Sequence, residues 1–309
     1  MRIEIRIFLG IDALSKISGM TFACSAVFSP LLAKQPLDSA GVASEGCRVP
    51  RGRRLTSPPK ALFENPRFAP RIRRFCVPAN SGTAATLAME EAGLAFRATK
   101  DLDVVLHIEA LDAKFGETFW QFINAGNYQI RQASDTGKPV YYRFQKPGNQ
   151  NYPAMLELFC RAPDGIVLAP DARLTPIPID EAVASLSAIL LDNDYYDFVI
   201  GGQREVDGLP CVGEDRLIPL KAVAWLDMKE RAARGETVDA KDIRKHANDV
   251  LRLSQLLAPD TRVRVAGTIA ADLNRFLDAI LAEGDVNPGA LGLRGTLAEL
   301  VERIRTAYI

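Results

Sequence analysis

The chain has 309 residues, which is enough to bury a substantial core and to form one or two domains. Hydrophobic residues make up 48%, charged residues 25% and aromatic residues 7%, values that are ordinary for a soluble globular protein. The formal net charge is zero, so no global basic field favours nucleic-acid binding, although a local basic patch stays open. No uninterrupted apolar run is long enough to span a bilayer.

The five cysteines are scattered, with no CxxC pair and no histidine ligands nearby, and they are Cys24, Cys47, Cys76, Cys160 and Cys211. This spacing predicts free thiols in a reducing compartment rather than a disulfide framework or a zinc site. We therefore expect a cytoplasmic protein. The stretch from Met1 to Ala33 resembles a signal peptide only weakly, because Glu4 and Asp12 interrupt it.

Residues 1–80 form the first of three predicted regions, a poorly structured or misassigned N-terminal extension. Eight arginines and seven prolines accumulate between residues 34 and 80: Arg48, Arg51, Arg53, Arg54, Arg67, Arg71, Arg73 and Arg74, with Pro36, Pro50, Pro58, Pro59, Pro66, Pro70 and Pro78. Such a segment cannot easily bury enough surface to offset its ordering entropy. The alternatives are a basic arm that contacts nucleic-acid phosphates, a disordered linker, or a start that translates non-native sequence.

The second region, residues 81–175, has the pattern of an α+β sheet domain. The sequence predicts a helix over Thr83 to Gly93, a buried strand over Asp101 to Ile108 and a helix over Lys114 to Ala125. Two further strands, Val140 to Gln145 and Ala154 to Cys160, are joined by the turn-forming KPGNQN. The order is helix, strand, helix, strand, strand.

The third region, residues 176–309, is predicted to be mainly helical. Ile179, Val183, Leu186 and Leu190 share one face of a helix that would begin near Pro178. The other predicted helices are Arg216 to Arg234, Asp242 to Leu257, Thr268 to Leu281 and Thr296 to Tyr308.

Three acidic residues interrupt two otherwise apolar strands. Asp101 and Asp103 point to the same face because side chains alternate along a strand, and Glu157 lies within AMLELFC. If the two strands are neighbours, the three carboxylates converge, and a divalent cation would remove their repulsion. The alternatives are that the aspartates are solvated cap residues and that Glu157 pairs with Arg143 or Arg161.

These residues resemble the signature of the AbiEii-type nucleotidyltransferases, within the minimal nucleotidyltransferase superfamily of the DNA polymerase β kind. Residues 81–85 (SGTAA) match its small-residue turn that opens a helix, and residues 97–106 (RATKDLDVVL) match its Arg-x-Thr-x-Asp-x-Asp strand. Glu157 matches the third acidic residue of the family. Lys221, in LIPLKAVAW, matches a lysine that opens a helix, and residues 241–250 (KDIRKHANDV) match a Lys-Asp…Asp helix. The matches run in the family's order over residues 81 to 255.

The resemblance implies a nucleotidyltransferase-fold mixed sheet with flanking helices, followed by a helical C-terminal region. It implies that Asp101, Asp103 and Glu157 are catalytic and hold Mg²⁺ or Mn²⁺. Residues Ser81, Gly82, Thr83, Thr99 and Lys221 would bind the nucleotide, since backbone N–H groups at a helix N-terminus suit phosphate oxygens. Without this context, Lys221 would be interpreted as a solvated helix lysine.

The same resemblance implies an enzyme that transfers a nucleoside monophosphate from an NTP such as ATP, GTP or CTP to an acceptor hydroxyl. Such proteins act as toxins of toxin–antitoxin pairs, so the implied partners are the NTP, a tRNA or protein acceptor and a cognate antitoxin, with no membrane. Two alternatives stay open: a non-catalytic nucleotide- or RNA-binding protein on a degenerate scaffold, and a metal-dependent phosphohydrolase. The departure from the family is the segment before Ser81, where Pro78 and flanking arginines predict a poor central strand.

Four helix and strand residues have ordinary structural interpretations beside the functional ones. Asp249 and Lys245 are spaced as an exposed i,i+4 pair. His246 is expected on a helix surface, and His107 on a strand face.

Overall fold

The structure of the protein, a computed structural model, describes residues 62, 66, 68, 72–73, 76–78, 83–94, 101–132, 139–168, 172, 174–178, 186–206 and 209–309. Its strands are β1 Cys76–Pro78, β2 Asp101–Leu106, β3 Gln129–Gln132, β4 Pro139–Gln145, β5 Met155–Cys160, β6 Leu174–Pro176, β7 Ser187–Leu190, β8 Gln203–Val206 and β9 Leu209–Val212. Its helices are α1 Thr83–Glu91, α2 Ala113–Gly126, α3 Asn193–Ile200, α4 Glu214–Ala233, α5 Ala240–Leu253, α6 Gly267–Glu283 and α7 Leu297–Ala307. Short 3-10 helices lie at Ile108–Ala110, Ser254–Leu256 and Gly289–Leu291.

The main sheet is mixed and is built around β5. Its principal order is β1-β2-β5-β4-β3, and β7 pairs with both β5 and β6. Strand β5 is parallel to β2 and to β7, whereas it is antiparallel to β4. The protein is therefore of the α+β class, with a mixed sheet and flanking helices. A separate hairpin, β8 with β9, precedes α4.

One face of the sheet packs against α2. Leu102, Val104, Leu156 and Leu158 alternate along β2 and β5 and are fully buried in the core. On β4, the ring of Phe144 meets that of Phe119 on α2 at 5.6 Å between centroids. Burial of these side chains holds β2 and β5 in their pairing, because a one-residue slip would turn the apolar set to the other face.

Capping residues fix the ends of α2. Asp112 accepts a hydrogen bond from the N–H of Phe115 at 2.7 Å, which satisfies one of the free donors at the start of the helix. Asn127 ends the helix in the left-handed conformation with φ 49°, which asparagine tolerates better than most residues. The helix predicted over Lys114 to Ala125 is therefore confirmed, one residue longer at each end.

The C-terminal helices surround α4, which packs against α1, α5 and α6. Trp225 of α4 meets Phe276 of α6 edge to face at 5.3 Å between centroids. A capping box of Thr296 and Glu299 begins α7. Among the described residues, no helix has the length and apolar character needed to cross a membrane.

Most of the predicted elements are confirmed, but the segment before α3 is not the predicted helix. Ser187–Leu190 is strand β7, and Leu186 precedes it outside any helix, while residues 179–185 lie outside the described part of the chain. The helical spacing of the apolar residues from Ile179 to Leu190 predicted a helix, but residues 187–190 pair with β5 instead. The sheet thus continues past residue 175, where the second predicted region ends.

Several short elements were not predicted from the sequence: β3, β6, α3 and the β8–β9 hairpin. Strand β1 also forms, antiparallel to β2 and at an edge of the sheet. An edge is where proline is tolerated, because one side of the strand needs no ladder hydrogen bonds. The expectation that this segment makes a poor central strand agrees with that position. Cys160 and Cys211 are buried and reduced, as predicted.

Truncating Phe144 tests the packing of the sheet on α2. We expect Phe144→Ala to lower the free energy of unfolding by about 3–5 kcal/mol, because it removes a fully buried ring from a packed core. Urea denaturation measures the loss. Val167→Ala is the control, since Val167 is 98% exposed, and we expect a change within about 0.5 kcal/mol. Equal losses in the two variants would contradict the described core.

Candidate functional site

A row of three charged residues crosses the sheet on β4, β5 and β2. Glu157 of β5 lies opposite Arg143 of β4 on one side and opposite Asp103 of β2 on the other. Residues paired directly across neighbouring strands project from the same face of the sheet. Asp101, two residues before Asp103, belongs to that face as well. The predicted convergence of β2 and β5 is therefore present, in register.

The row is almost entirely buried. Glu157 is 0% exposed, Arg143 1% and Asp103 7%, whereas Asp101 at the start of β2 is half-buried. The Nε–H of Arg143 donates a hydrogen bond to Oε1 of Glu157. Of the two arginine partners that the sequence offered to Glu157, the structure thus selects Arg143; Arg161 instead contacts Glu109 and Asp164.

The ionised form of the Asp103 carboxyl is unfavourable in its position. Burial raises the pKa of its carboxyl well above the ordinary value, and the negative charges of Glu157 and Asp101 raise the pKa further. The positive charges of Lys221 and Arg143 lower this pKa in part, so both lie within electrostatic reach of Asp103. Asp103 makes no hydrogen bond or ion pair with any other residue that the structure describes.

A second buried ion pair joins α4 to α5 beside this row. Nζ of Lys221 donates to Oδ2 of Asp249 at 2.8 Å, and both side chains are 0% exposed. Arg252 lies 3.9 Å from the other oxygen of Asp249. The interpretation of Lys221 as a solvated lysine is therefore wrong, and so is that of Asp249 as an exposed partner of Lys245. Lys221 does not open its helix, because α4 begins seven residues earlier at Glu214.

The remaining predicted site residues are placed only in part. Ser81, Gly82 and Thr99 lie outside the described residues. Thr83 is the first residue of α1, and its backbone alone is described.

The structure describes the positions of both histidines. His246 is buried, 4% exposed, so the expected surface position is wrong. His107 follows β2 and forms a hydrogen bond with the side chain of Gln203 at 3.1 Å.

Sequence reasoning did not assign Arg143 and Asp249 to the site. Arg143 stands in VYYRFQ opposite the glutamate of the ELF strand, so strand pairing could have indicated it. Asp249 could not be found this way, because its distance from Lys221 along the chain is 28 residues and depends on how two helices pack.

A surface cavity of about 150 Å³ lies elsewhere, between α4, α5 and α6. Its lining includes Trp225, Ile243, Ala247, Ile280 and Val286. None of the predicted site residues that the structure describes lines it.

The donor set of the charged row fits a divalent cation. Carboxylate oxygens are the ligands that Mg²⁺ and Mn²⁺ prefer, and the raised pKa of Asp103 reflects carboxylates crowded in a buried place. Among the described residues, no three histidine, cysteine, aspartate or glutamate side chains are grouped so that they could hold a metal ion. The aspartate pair is accordingly the part of the row that fits the cation, since Glu157 is bound to Arg143.

No protein-family profile, no curated protein and no solved structure matches this chain.

Breaking the Lys221–Asp249 pair should strongly destabilise the fold. We expect Lys221→Met to lower the free energy of unfolding by about 3–5 kcal/mol, because it leaves Asp249 buried without that charge. The double variant Lys221→Met/Asp249→Leu should lose less than the sum of the two single variants. Urea denaturation of all three measures this coupling.

The matched control is Lys229→Met, since Lys229 pairs with Glu283 at 2.6 Å on the surface. We expect this variant to change the free energy of unfolding by no more than about 1 kcal/mol. Equal losses in Lys221→Met and Lys229→Met would contradict the burial of Lys221.

The pKa of Asp103 predicts a pH-dependent effect of its replacement. Unfolded, the carboxyl has its ordinary pKa of 3.8, whereas in the fold its pKa is higher. The folded state therefore binds more protons above pH 3.8, and its stability falls as the pH rises towards the folded pKa. The side chain of Asp103→Asn has no proton to lose, so its free energy of unfolding lacks this decrease. The free energy of unfolding of the variant minus that of the unchanged chain should therefore be larger at pH 8 than at pH 4. Thermal denaturation in EDTA measures this difference, and a difference independent of pH would contradict the assignment.

Proposed function

We propose that this chain is a metal-dependent nucleotidyltransferase that transfers a nucleoside monophosphate from an NTP to an acceptor hydroxyl. The observation that carries the proposal is the register of β2 and β5, which sets Glu157 beside Asp103 on the face that bears Asp101. Buried Lys221 supplies a positive charge close to the same carboxylates. The resemblance of residues 81–255 to AbiEii-type nucleotidyltransferases supports this assignment of roles.

Each of these residues has a separate role in the proposed reaction. Asp101 and Asp103 would hold Mg²⁺ or Mn²⁺, which would supply positive charge for the phosphate oxygens and for the attacking hydroxyl. The acceptor oxygen forms a bond to the α-phosphorus, the bond to the bridging oxygen breaks, and pyrophosphate leaves with the electron pair. Glu157 orients the acceptor hydroxyl and receives its proton. Lys221, held by Asp249, acts on the phosphates through its charge, since its side chain is fully buried.

The start of α1 suits the triphosphate. Backbone N–H groups at a helix N-terminus are free to bind phosphate oxygens, and the helix dipole favours negative charge there. Helix α1 begins at Thr83, directly after Ser81 and Gly82. We assign these three residues, together with Thr99 before β2, to nucleotide binding.

The finer assignment follows the resemblance. We propose an AbiEii-like toxin of a toxin–antitoxin pair that acts in the cytoplasm, with a tRNA or a protein as acceptor. A cognate antitoxin would then be its protein partner.

A second candidate is a non-catalytic nucleotide- or RNA-binding protein on the same scaffold. One observation favours it: the carboxylate of Glu157 is already bonded to Arg143 in a place without solvent access. If that bond withholds Glu157 from the acceptor, nucleotide would bind without reaction.

Incubation with α-³²P-labelled NTPs, Mg²⁺ and total tRNA separates the two candidates. We expect label on an RNA or protein band, reduced at least about 100-fold in Asp103→Asn because the variant loses a metal ligand. Asp278→Asn is the matched control, since Asp278 is 71% exposed on α6, and it should keep full transfer.

Nucleotide binding without transfer would contradict the enzyme and favour the binding protein. Release of free phosphate or nucleoside monophosphate, with no labelled acceptor, would instead indicate a phosphohydrolase. Equal transfer by Asp103→Asn and Asp278→Asn would exclude the charged row as the site.

A further inference from the structure

Arg143 occupies the side of Glu157 that faces away from Asp103. Because Arg143 and Asp103 are the cross-strand neighbours of Glu157 on β4 and β2, the glutamate stands between a guanidinium and a carboxylate. The Nε–H of Arg143 bonds directly to Oε1 of Glu157, and both side chains are 1% exposed. A positive charge is thus already placed against the acidic residue that a metal ion would be expected to use.

This positive charge is permanent. A guanidinium does not lose its proton in proteins, so Arg143 stays charged at every pH at which the chain folds. Moving either partner away would leave a buried charge without its counter-ion, which is strongly unfavourable. The guanidinium also lies 5.6 Å from the centre of the Tyr142 ring, which adds a favourable contact on its own strand. Arg143 therefore holds Glu157 in one position.

Asp103 differs from Glu157 in this respect. It has no ion pair with another described residue, although it is 93% buried beside two carboxylates. Lys221, whose charge acts on Asp103, is bonded to Asp249 at 2.8 Å. An additional cation would therefore be favoured at Asp103, whereas Oε1 of Glu157 is already bonded to Arg143.

We propose that Arg143 takes the place of a metal ion at Glu157, so that the protein binds one divalent cation through Asp103 and Asp101. Glu157 then stays outside the coordination shell, as a carboxylate that Arg143 positions for the acceptor hydroxyl. Arg143 is a positioning residue in this scheme and acts only through Glu157. The inference rests on the proposed function, because it describes the cation site of the proposed transferase.

Mn²⁺ binding tests the inference without measuring activity. Electron paramagnetic resonance of free Mn²⁺, in the presence of a non-hydrolysable NTP, counts the ions that each variant binds. We compare the unchanged chain, Asp103→Asn and the double variant Arg143→Gln/Glu157→Gln, which removes both charges of the pair together. Because the double variant removes both charges of the pair and leaves neither one unpaired, it keeps the fold more readily than either single change.

We expect one ion in excess of those bound by the nucleotide alone, and we expect Asp103→Asn to lose it. The double variant should retain this ion with an affinity within about threefold of that of the unchanged chain. Loss of the ion in the double variant, matching the loss in Asp103→Asn, would show that Glu157 is a ligand and would overturn the inference alone. If the unchanged chain binds no ion beyond those of the nucleotide, both the inference and the proposed function are wrong.

A second measurement uses the unchanged chain, so it does not depend on whether a variant folds. The Nε–H signals of ¹⁵N-labelled arginines are recorded before and after addition of Mg²⁺ and the non-hydrolysable NTP. A buried, hydrogen-bonded Nε–H exchanges slowly with solvent, and we expect this signal to persist unchanged. Movement of the signal to the position of exposed arginines would show that the metal displaces Arg143, which contradicts the inference.

Discussion

The parallel pairing of β2 with β5 is the constraint on which the site depends. Only in this register does Asp103 stand opposite Glu157, with Asp101 on the same face. The register is held by the other face, where Leu102, Val104, Leu156 and Leu158 are buried in the core. A slip of one residue in either strand would turn its carboxylates into this apolar set, so packing on one face fixes chemistry on the other.

This arrangement buries charged side chains in the core, which lowers the stability of the fold. Burying carboxylates is unfavourable unless each finds a partner, and the two that are 0% exposed have a cation at hydrogen-bond distance or closer. Glu157 has Arg143 and Asp249 has Lys221, whereas the third acidic residue, Asp103, has a pKa raised by burial and by its acidic neighbours. Residues that destabilise a fold in this way are often retained for binding or catalysis. Asp103, which forms no ion pair with another residue in the described part of the chain, is the residue of the row to which we assign the cation.

The sequence indicated the framework of the fold because its long elements carry strong local patterns. Helices α2, α4, α6 and α7 and strands β2, β4 and β5 were predicted nearly to their observed ends, from periodicity and turn residues. Strand β7 was predicted as part of a helix, because the apolar residues from Ile179 to Leu190 have helical spacing and the pairing partner β5 is distant in the chain. Strand alternation placed Asp101 and Asp103 on one face, but their approach to Glu157 depended on β2 and β5 being neighbours, as they are. The contact of Asp249 with Lys221 could not be predicted, because it depends on the packing of α4 on α5.

Diffraction from crystals grown with Mn²⁺ and a non-hydrolysable NTP would locate the cation and the nucleotide. We expect an anomalous manganese peak within coordination distance of the Asp103 carboxylate, with the triphosphate directed towards the start of α1. Manganese and nucleotide bound together at any other place on the chain, with Asp103 coordinating nothing, would contradict this expectation.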